Sequence, residues 1–379
     1  MIAPFTYSAL PMRVVFGPGS LAALPDEVAA LGLTRVLVLC SPEQEVTGKQ
    51  VADALGDRAA GVLPEARMHV PVEVARRARE LAAELGADGC VAVGGGSAVG
   101  LGKAIALEHD LPVIAVPTTY AGSEMTPVWG LTEGGQKRTG RDLRVLPRSV
   151  LYDPELTLSL PAGLSATSGM NAIAHAVESL YAPDATPIVS LMAEEGTRAL
   201  AAALPRVVAD GGDLDARGEA QYGAWLCGAV LAATTMSLHH KLCHTLGGTL
   251  DLPHAQTHTV VLPHALAYNS PAAPDAVAAL TRALGGVPDP ARELWELAGR
   301  LDAPRSLREL GMAEDDVPRV AALAAERPYA NPRPVTAAGV EDLLRAAWTG
   351  APPSRSSDGH DDSQPGPVRR PSARTGSPG

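Results

Sequence analysis

The sequence predicts a protein of two domains, an α/β domain with a mostly parallel sheet followed by an all-helical domain. Over residues 1–158, short apolar runs alternate with segments of helical period, a pattern typical of βαβ units whose sheet is covered on both faces. Over residues 159–350, the segments are long, rich in Ala and Leu, and broken by Pro and Gly. We therefore place the domain boundary between residues 158 and 159.

The strands of the first domain are predicted where short apolar runs end at turn residues. Helices are indicated over 21–31 and 72–85, where apolar residues recur with helical period. Residues 126–153 differ, because a Gly-Gly turn there predicts a β-hairpin or an extended loop that returns to a last strand. The predicted strands are Arg13–Phe16, Arg35–Cys40, Gly89–Val93, Leu111–Pro117 and Val150–Asp153.

The composition excludes several classes of partner. A net charge of −11 without a basic stripe argues against nucleic acid, and no run approaches the roughly 20 apolar residues of a membrane span. The N-terminus lacks the basic start and apolar run of a signal peptide. Four scattered cysteines without a CxxC pair fit free thiols in a reducing cytoplasm. Residues 351–379, rich in Pro, Ser, Gly and Arg, cannot bury a core and are predicted to be a disordered tail.

A cluster of histidines follows residue 238. His240 and His244 are four residues apart, so both imidazoles project from one face of a helix. The pair Gly247-Gly248 is expected to end that helix, and Pro253 suits the first turn of the next, which places His254 at a helix start. The cluster continues to His258.

A second pair with the same spacing, Asn171 and His175, lies upstream in Gly-Met-Asn-Ala-Ile-Ala-His. Two helices would then direct nitrogen-rich faces at one cleft. Imidazole is the commonest metal ligand and an available acid near neutral pH, so the convergence favours a reactive site. The alternative is that each histidine merely caps a helix or fills a polar pocket.

A glycine turn, Gly94-Gly95-Gly96-Ser97, follows one predicted strand and starts a helix. Such a turn can hold a phosphate with backbone N–H groups and the helix dipole. It is not a P-loop, because Ser97 stands where that motif needs Gly, and no GxGxxG is present. The turn therefore predicts phosphate or pyrophosphate binding without specifying the nucleotide; the alternative is a tight strand-to-helix turn with no ligand. The polar loop 117–124 follows the next strand, at the sheet edge where ligands bind.

These motifs together resemble the iron-containing alcohol dehydrogenase superfamily and, within it, the maleylacetate reductases. The resemblance covers residues 10–350 and is carried by GGGS after a strand, PTTYAGSEMTP, LYDPELTLSLP, SGMNAIAHAVE and HHKLCHTLGGTLDLPHAQTH, in this order. It implies the dehydroquinate synthase-like architecture of that superfamily: a nucleotide-binding α/β domain, a helical domain, a cleft between them, and usually a homodimer.

The resemblance also implies roles for individual residues. Gly95, Gly96 and Ser97 match the family's pyrophosphate-binding turn, and Thr118, Thr119 and Ser123 match its second cofactor loop. The family's metal ligands match Asn171, His175, His240 and His254, and His244 matches a histidine near the nicotinamide that is often assigned to proton transfer. As catalytic residues we expect His244, with His240 and His254.

Two departures concern the cofactors. Asn171 stands where the family has an aspartate, and a neutral amide cannot neutralise a divalent ion, so we expect binding of Fe or Zn to be weakened or lost. Three histidines could still hold Zn²⁺ with an open fourth position. After the second strand, Cys40-Ser41-Pro42 contains no carboxylate to repel a 2′-phosphate, so both NADH and NADPH stay open.

The expected activity is NAD(P)H-dependent reduction of maleylacetate, a small dicarboxylate, to 3-oxoadipate in the degradation of aromatic compounds. The substrate is implied by the resemblance alone. Its two negative charges call for cations, for which Arg141, Arg144 and Lys241 are nearest by motif, although a solvated surface charge is the commoner role for any one of them. The alternatives are a metal-dependent alcohol dehydrogenase or aldehyde reductase, and a non-catalytic nucleotide-binding homologue.

Overall fold

The computed structural model describes residues 4–134 and 136–354 of the chain. The predicted disordered tail therefore lies, from residue 355 onward, outside the described residues. None of the described helices is long and apolar enough to cross a bilayer.

The first part of the chain forms a parallel sheet, as predicted. Six strands pair in the order β1-β8-β5-β4-β2-β3, and every pairing between them is parallel. The prediction did not include β3, an edge strand of small residues that are mostly half-buried. The strands are β1 (Arg13–Phe16), β2 (Val36–Leu39), β3 (Ala59–Leu63), β4 (Gly89–Gly94), β5 (Val113–Pro117), β6 (Val128–Glu133), β7 (Gln136–Arg141) and β8 (Ser149–Tyr152).

The strands β6 and β7 form an antiparallel hairpin, so of the two structures predicted for residues 126–153 the hairpin is present and the extended loop is not. Within residues 4–134 and 136–354, four α-helices lie between the strands of the large sheet and nine follow the last strand. They are α1 (Leu24–Ala30), α2 (Glu45–Leu55), α3 (Val72–Glu84), α4 (Gly96–His109), α5 (Ala162–Leu180), α6 (Pro187–Ala209), α7 (Leu214–Ala233), α8 (Leu238–Leu250), α9 (His254–Asn269), α10 (Pro274–Ala283), α11 (Pro290–Arg300), α12 (Asp316–Ala325) and α13 (Ala337–Thr349). The predicted fold class is thereby confirmed, and the boundary at 158/159, which falls between β8 and α5, stays a prediction.

The helical region contains two hydrophobic clusters that share α9. Leu262 and Leu266 pack with α5, α6 and α7, whereas Val261 and Ala265 pack with α8, α12 and α13. A helix that is apolar on nearly all sides must be buried on all sides. This burial places α9 between α5 and α8, where the histidines of the three helices meet.

The loop after β5 connects the two parts of the molecule. The backbone N–H of Tyr120 donates to Ser168 Oγ on α5 at 2.9 Å, and Gln221 Nε2 on α7 donates to the Pro117 carbonyl at 3.3 Å. The polar loop predicted to bind a ligand is therefore held against the helices that carry the histidines.

Candidate active site

The histidines from α5, α8 and α9 form one cluster of imidazoles. The rings of His175 and His240 lie 4.9 Å apart, and those of His240 and His244 lie 6.2 Å apart. His254 stacks on His244 at 6.5 Å and lies 4.3 Å from His258. The structure thus brings together the histidines that the spacing placed on two converging helix faces.

The turn between α8 and α9 differs from the prediction. The helix α8 does not end at Gly247-Gly248 but continues to Leu250, and Asp251 ends it in the left-handed conformation with φ of 53°. Leu246 and Leu252 are buried on either side, and this packing offsets the low helix propensity of glycine. His254 does begin α9, as expected.

Two of the cluster's histidines, His239 and His258, were not assigned a role from the sequence. Their rings lie 4.8 Å apart, and His239 Nε2 lies 3.1 Å from the His258 carbonyl oxygen. Both are fully buried. For His258 the available signal was its spacing of four residues from His254, which puts both rings on one face of α9.

A buried carboxylate that the sequence analysis missed orients the cluster. Glu178 is fully buried and accepts hydrogen bonds from the backbone N–H groups of Ser237 (2.9 Å), His239 (2.7 Å) and His240 (3.3 Å). It also lies 2.7 Å from His240 Nδ1. Burial raises the pKa of Glu178, and His239 and these N–H groups oppose the shift. Its position three residues after His175 on α5 was the available signal.

The carboxylate ends a chain of hydrogen bonds. Because Glu178 accepts, His240 Nδ1 carries the proton and His240 Nε2 is an acceptor. His175 Nδ1 lies 2.8 Å from that atom, and His175 Nε2 lies 3.4 Å from Asn171 Nδ2 and 3.3 Å from the Ala121 carbonyl oxygen. The chain runs from Asn171 through His175 and His240 to Glu178.

The imidazoles of this chain are neutral near neutral pH. Burial lowers the pKa of His175 and His240 well below the usual range, and neighbouring imidazoles lower it further. Burial lowers the pKa of His239 to about 4. In contrast, His244 is exposed, at the open edge of the cluster. The buried members can therefore donate or accept single hydrogen bonds, while His244 can exchange protons with solvent.

The donor set fits a divalent metal ion poorly. All four ring nitrogens of His175 and His240 already have protein partners, and the one carboxylate among these partners, Glu178, is engaged by backbone N–H groups. Asn171 Oδ1 is buried without a hydrogen-bond partner among the described residues, but it carries no charge. Nitrogens of His239, His240 and His258 lie within 4.8 Å of one another, but His240 Nδ1 bonds to Glu178 and His239 Nε2 lies 3.1 Å from the His258 carbonyl oxygen.

The predicted glycine turn lies where β4 ends and α4 begins. A Cβ on Gly95 would meet Thr119 Oγ1 at 2.9 Å, and one on Gly96 would lie 4.0 Å from the Ser123 Cβ. The Thr118 N–H donates to the Gly94 carbonyl at 3.1 Å. The glycines, with Ser97 in the first turn of α4, therefore lie beside the loop that carries Thr118, Thr119 and Ser123.

The same loop reaches the imidazole cluster. The Ala121 carbonyl oxygen lies 3.3 Å from His175 Nε2, and a Cβ on Gly122 would lie 3.5 Å from His175 Cδ2. Gln44, which was not predicted, donates from Nε2 to Thr118 Oγ1 at 2.5 Å. A dinucleotide on the glycine turn would extend along this loop toward the histidines.

The three candidate cations for a dianionic substrate lie in different environments. Arg144 is exposed and pairs with Asp142 at 2.7 Å, as a surface charge does. Arg141 donates from Nη2 to the Ala232 carbonyl at the end of α7. Lys241 follows His240 on α8 and is half-buried.

A glycine turn at the edge of a parallel sheet, next to a cluster of imidazoles, fits the class of dinucleotide-dependent oxidoreductases. The chain belongs to the iron-containing alcohol dehydrogenase family: the family's model matches residues 11–154, and the model of its C-terminal region matches residues 165–348.

Individual relatives are similar over nearly the whole chain. A maleylacetate reductase from Sphingobium indicum is 58% identical over 349 residues, which are 92% of this chain and 99% of that protein. The crystal structure of a maleylacetate reductase from Agrobacterium tumefaciens superposes with a TM-score of 0.90 at 53% identity, over 93% of this chain and 100% of that one. An iron-containing alcohol dehydrogenase from Corynebacterium glutamicum superposes with a TM-score of 0.87 at 44% identity, over 91% and 97% of the two chains.

Proposed function

We propose that this protein is an NAD(P)H-dependent maleylacetate reductase that forms 3-oxoadipate in the degradation of aromatic compounds. The observation that carries the proposal is similarity to maleylacetate reductases at more than half of all positions, along nearly the full length of both chains. The neutral hydrogen-bonded imidazoles beside the dinucleotide turn supply a matching chemistry.

The residues of the first domain hold the cofactor. In this proposal the backbone N–H groups of Gly95, Gly96 and Ser97, at the start of α4, bind the pyrophosphate, and a Cβ on Gly95 would crowd Thr119 beside it. We assign binding of the ribose and nicotinamide to the hydroxyls of Thr118, Thr119 and Ser123, which belong to the neighbouring loop. When bound, the nicotinamide supplies a hydride.

The histidines complete the reduction. Hydride addition to a C=C bond conjugated with a carbonyl places negative charge on that carbonyl oxygen, and a proton must then reach the other carbon. His244 is the acid in this proposal, because it is exposed and stacks on His254 at the edge of the cluster. His254 acts with it by donating a hydrogen bond to the developing charge, and His240, which is bonded to Glu178 and His175, holds the cluster in position beside them. One hydride and one proton saturate the bond.

We propose that this reaction needs no metal ion. The charge that a divalent ion would require is absent at Asn171, and the nitrogens of His175 and His240 bond to their neighbours instead. Metal analysis together with chelation tests this proposal. A stoichiometric tightly held ion, with activity abolished by chelation, would contradict it and would favour a metal-dependent alcohol dehydrogenase or aldehyde reductase.

The decisive experiment measures NADH and NADPH consumption with and without maleylacetate. We expect oxidation of the nucleotide that depends on maleylacetate, with 3-oxoadipate formed in equal amount. Binding of the nucleotide without consumption would indicate the non-catalytic homologue. Without a carboxylate at Cys40-Ser41-Pro42, we expect both nucleotides to support turnover.

The assembly and location are also proposals. We propose a homodimer, as the family resemblance implies, and light scattering during gel filtration tests this. We propose a cytoplasmic location, which agrees with four buried, unpaired cysteines. Cell fractionation tests the location.

A further inference from the structure

Lys103 is a buried cation outside the imidazole cluster. It lies on α4, two turns after the glycine turn, and is 1% exposed. Its Nζ donates to the Ser123 carbonyl at 2.7 Å, to the Val128 carbonyl at 2.8 Å and to Thr126 Oγ1 at 3.0 Å. An ammonium has three N–H donors, and these three close acceptors use all of them, with Ser123 Oγ as a longer contact at 3.4 Å.

All three acceptors belong to one segment, the loop from Thr118 to Val128. This loop carries the hydroxyls proposed to bind the nicotinamide half of the cofactor, and its Ala121 carbonyl lies 3.3 Å from His175 Nε2. The helix that carries Lys103 begins at the glycine turn. Lys103 therefore connects the two halves of the dinucleotide site.

A buried charge is costly, and its presence calls for a reason. Burial lowers the pKa of Lys103 to about 7, and the carboxylate of Glu124 in the same loop opposes this shift. A buried ion pair replaced as a whole by apolar side chains is often neutral or stabilising for a fold, so packing of α4 does not by itself require a charge here. The position of the ammonium between α4 and the loop gives it a second role beside stability.

From these contacts we infer that Lys103 is a positioning residue for the nicotinamide cofactor, which holds the Thr118–Val128 loop at a set distance from the glycine turn and from His175. The inference rests on the proposed use of NAD(P)H. Without the three hydrogen bonds, the loop is free to move away from α4, and the hydroxyls of Thr118, Thr119 and Ser123 no longer face the bound nucleotide together.

The test compares Lys103→Met with Arg79→Met. Arg79 is also a buried cation of the first domain and bonds the same helix, at the Ala104 carbonyl and Glu108, but not the loop. We expect Lys103→Met to raise the NADH dissociation constant about tenfold and the KM for NADH in parallel, and to speed amide hydrogen exchange in peptides covering 118–128. Arg79→Met should leave all three within twofold of the wild-type values.

A milder variant and two separate readouts keep the inference testable. Thr126→Val removes one acceptor of the ammonium and should raise the dissociation constant about threefold; it decides the matter if Lys103→Met does not fold. An unchanged dissociation constant with unchanged exchange in 118–128, or the same losses in Arg79→Met, would overturn the inference.

The failure of the proposed function can be told apart from the failure of this inference. If the wild-type protein binds NADH without reducing maleylacetate, the proposed function fails and NADH binding still tests Lys103. If the wild-type protein binds no nucleotide, the proposed function fails, and only amide hydrogen exchange in the free protein tests Lys103. Unchanged exchange in 118–128 of Lys103→Met would then show that Lys103 does not hold the loop.

Discussion

Replacing Glu178 by glutamine tests whether this carboxylate acts through the imidazole chain. The substitution keeps the shape of the side chain but exchanges one oxygen for an NH₂ group. If that group takes the place of Oε2, it meets the N–H groups of Ser237 and His240 at 2.9 and 3.3 Å. If it takes the place of Oε1, it meets only the His239 N–H, at 2.7 Å. The second orientation is favoured, since it leaves one backbone donor unpaired instead of two.

The magnitude follows from this geometry. One buried N–H without an acceptor costs about 1–3 kcal/mol, and the remaining bonds lose their charge assistance, so we expect the free energy of unfolding to fall by about 2–4 kcal/mol. The neutral amide also accepts a weaker hydrogen bond from His240 Nδ1, so the imidazole is held less firmly. We expect kcat to fall roughly tenfold to a hundredfold, equivalent to about 1.4–2.7 kcal/mol.

The assay combines urea unfolding, steady-state reduction of maleylacetate and NADH titration. The NADH dissociation constant should stay within twofold, because the hydrogen bonds of Glu178 go to α8 and not to the glycine turn. Glu27→Gln is the matched control: Glu27 is a buried carboxylate that binds Ser149 and Arg13, and its loss should lower stability without lowering kcat. A Glu178→Gln protein that is destabilised but retains kcat would refute the role of Glu178 in orienting His240.

Three further predictions concern the proton donor, the metal and the pH dependence of stability. His244→Ala should lower kcat about 10²–10⁴-fold with little effect on NADH affinity, whereas the equally exposed His109→Ala should change neither; unchanged turnover in steady-state assays would remove His244 from the mechanism. Asn171→Asp supplies the missing carboxylate and should raise the zinc retained after dialysis at least tenfold over the wild-type protein, and equal metal contents would contradict the argument from charge. Burial lowers the pKa of His264 to about 4, so the unfolded chain binds an additional proton between pH 6.5 and 4 and stability falls as the pH falls through that window. Between pH 7 and pH 5, the free energy of unfolding measured in urea should fall by about 2 kcal/mol more in the wild-type protein than in His264→Phe. Equal losses in the two proteins would show that other groups cause the pH dependence.

The parts of the fold that depend on local pattern were predictable from the sequence. Apolar runs that alternate with helical segments predict a parallel sheet, and the pairs Asn171 with His175 and His240 with His244 each share a helix face because four residues make about one turn. The position of Gly95 after a strand and before a helix likewise predicts an anion site. In each case the residues that define the feature are neighbours along the chain.

Other features were decided by the tertiary structure, because they depend on contacts between segments far apart in sequence. Glu178 and Lys103 look like ordinary helical residues until α5 is placed against α8 and α4 against the Thr118–Val128 loop. Gly247-Gly248 predicts a helix end, but packing around α8 carries the helix to Leu250. Local propensities amount to about 1 kcal/mol per residue, and burial of a few side chains exceeds them. The sequence by itself therefore determined the elements and the reactive side chains, and the packing of distant helices decided how those side chains bond to one another.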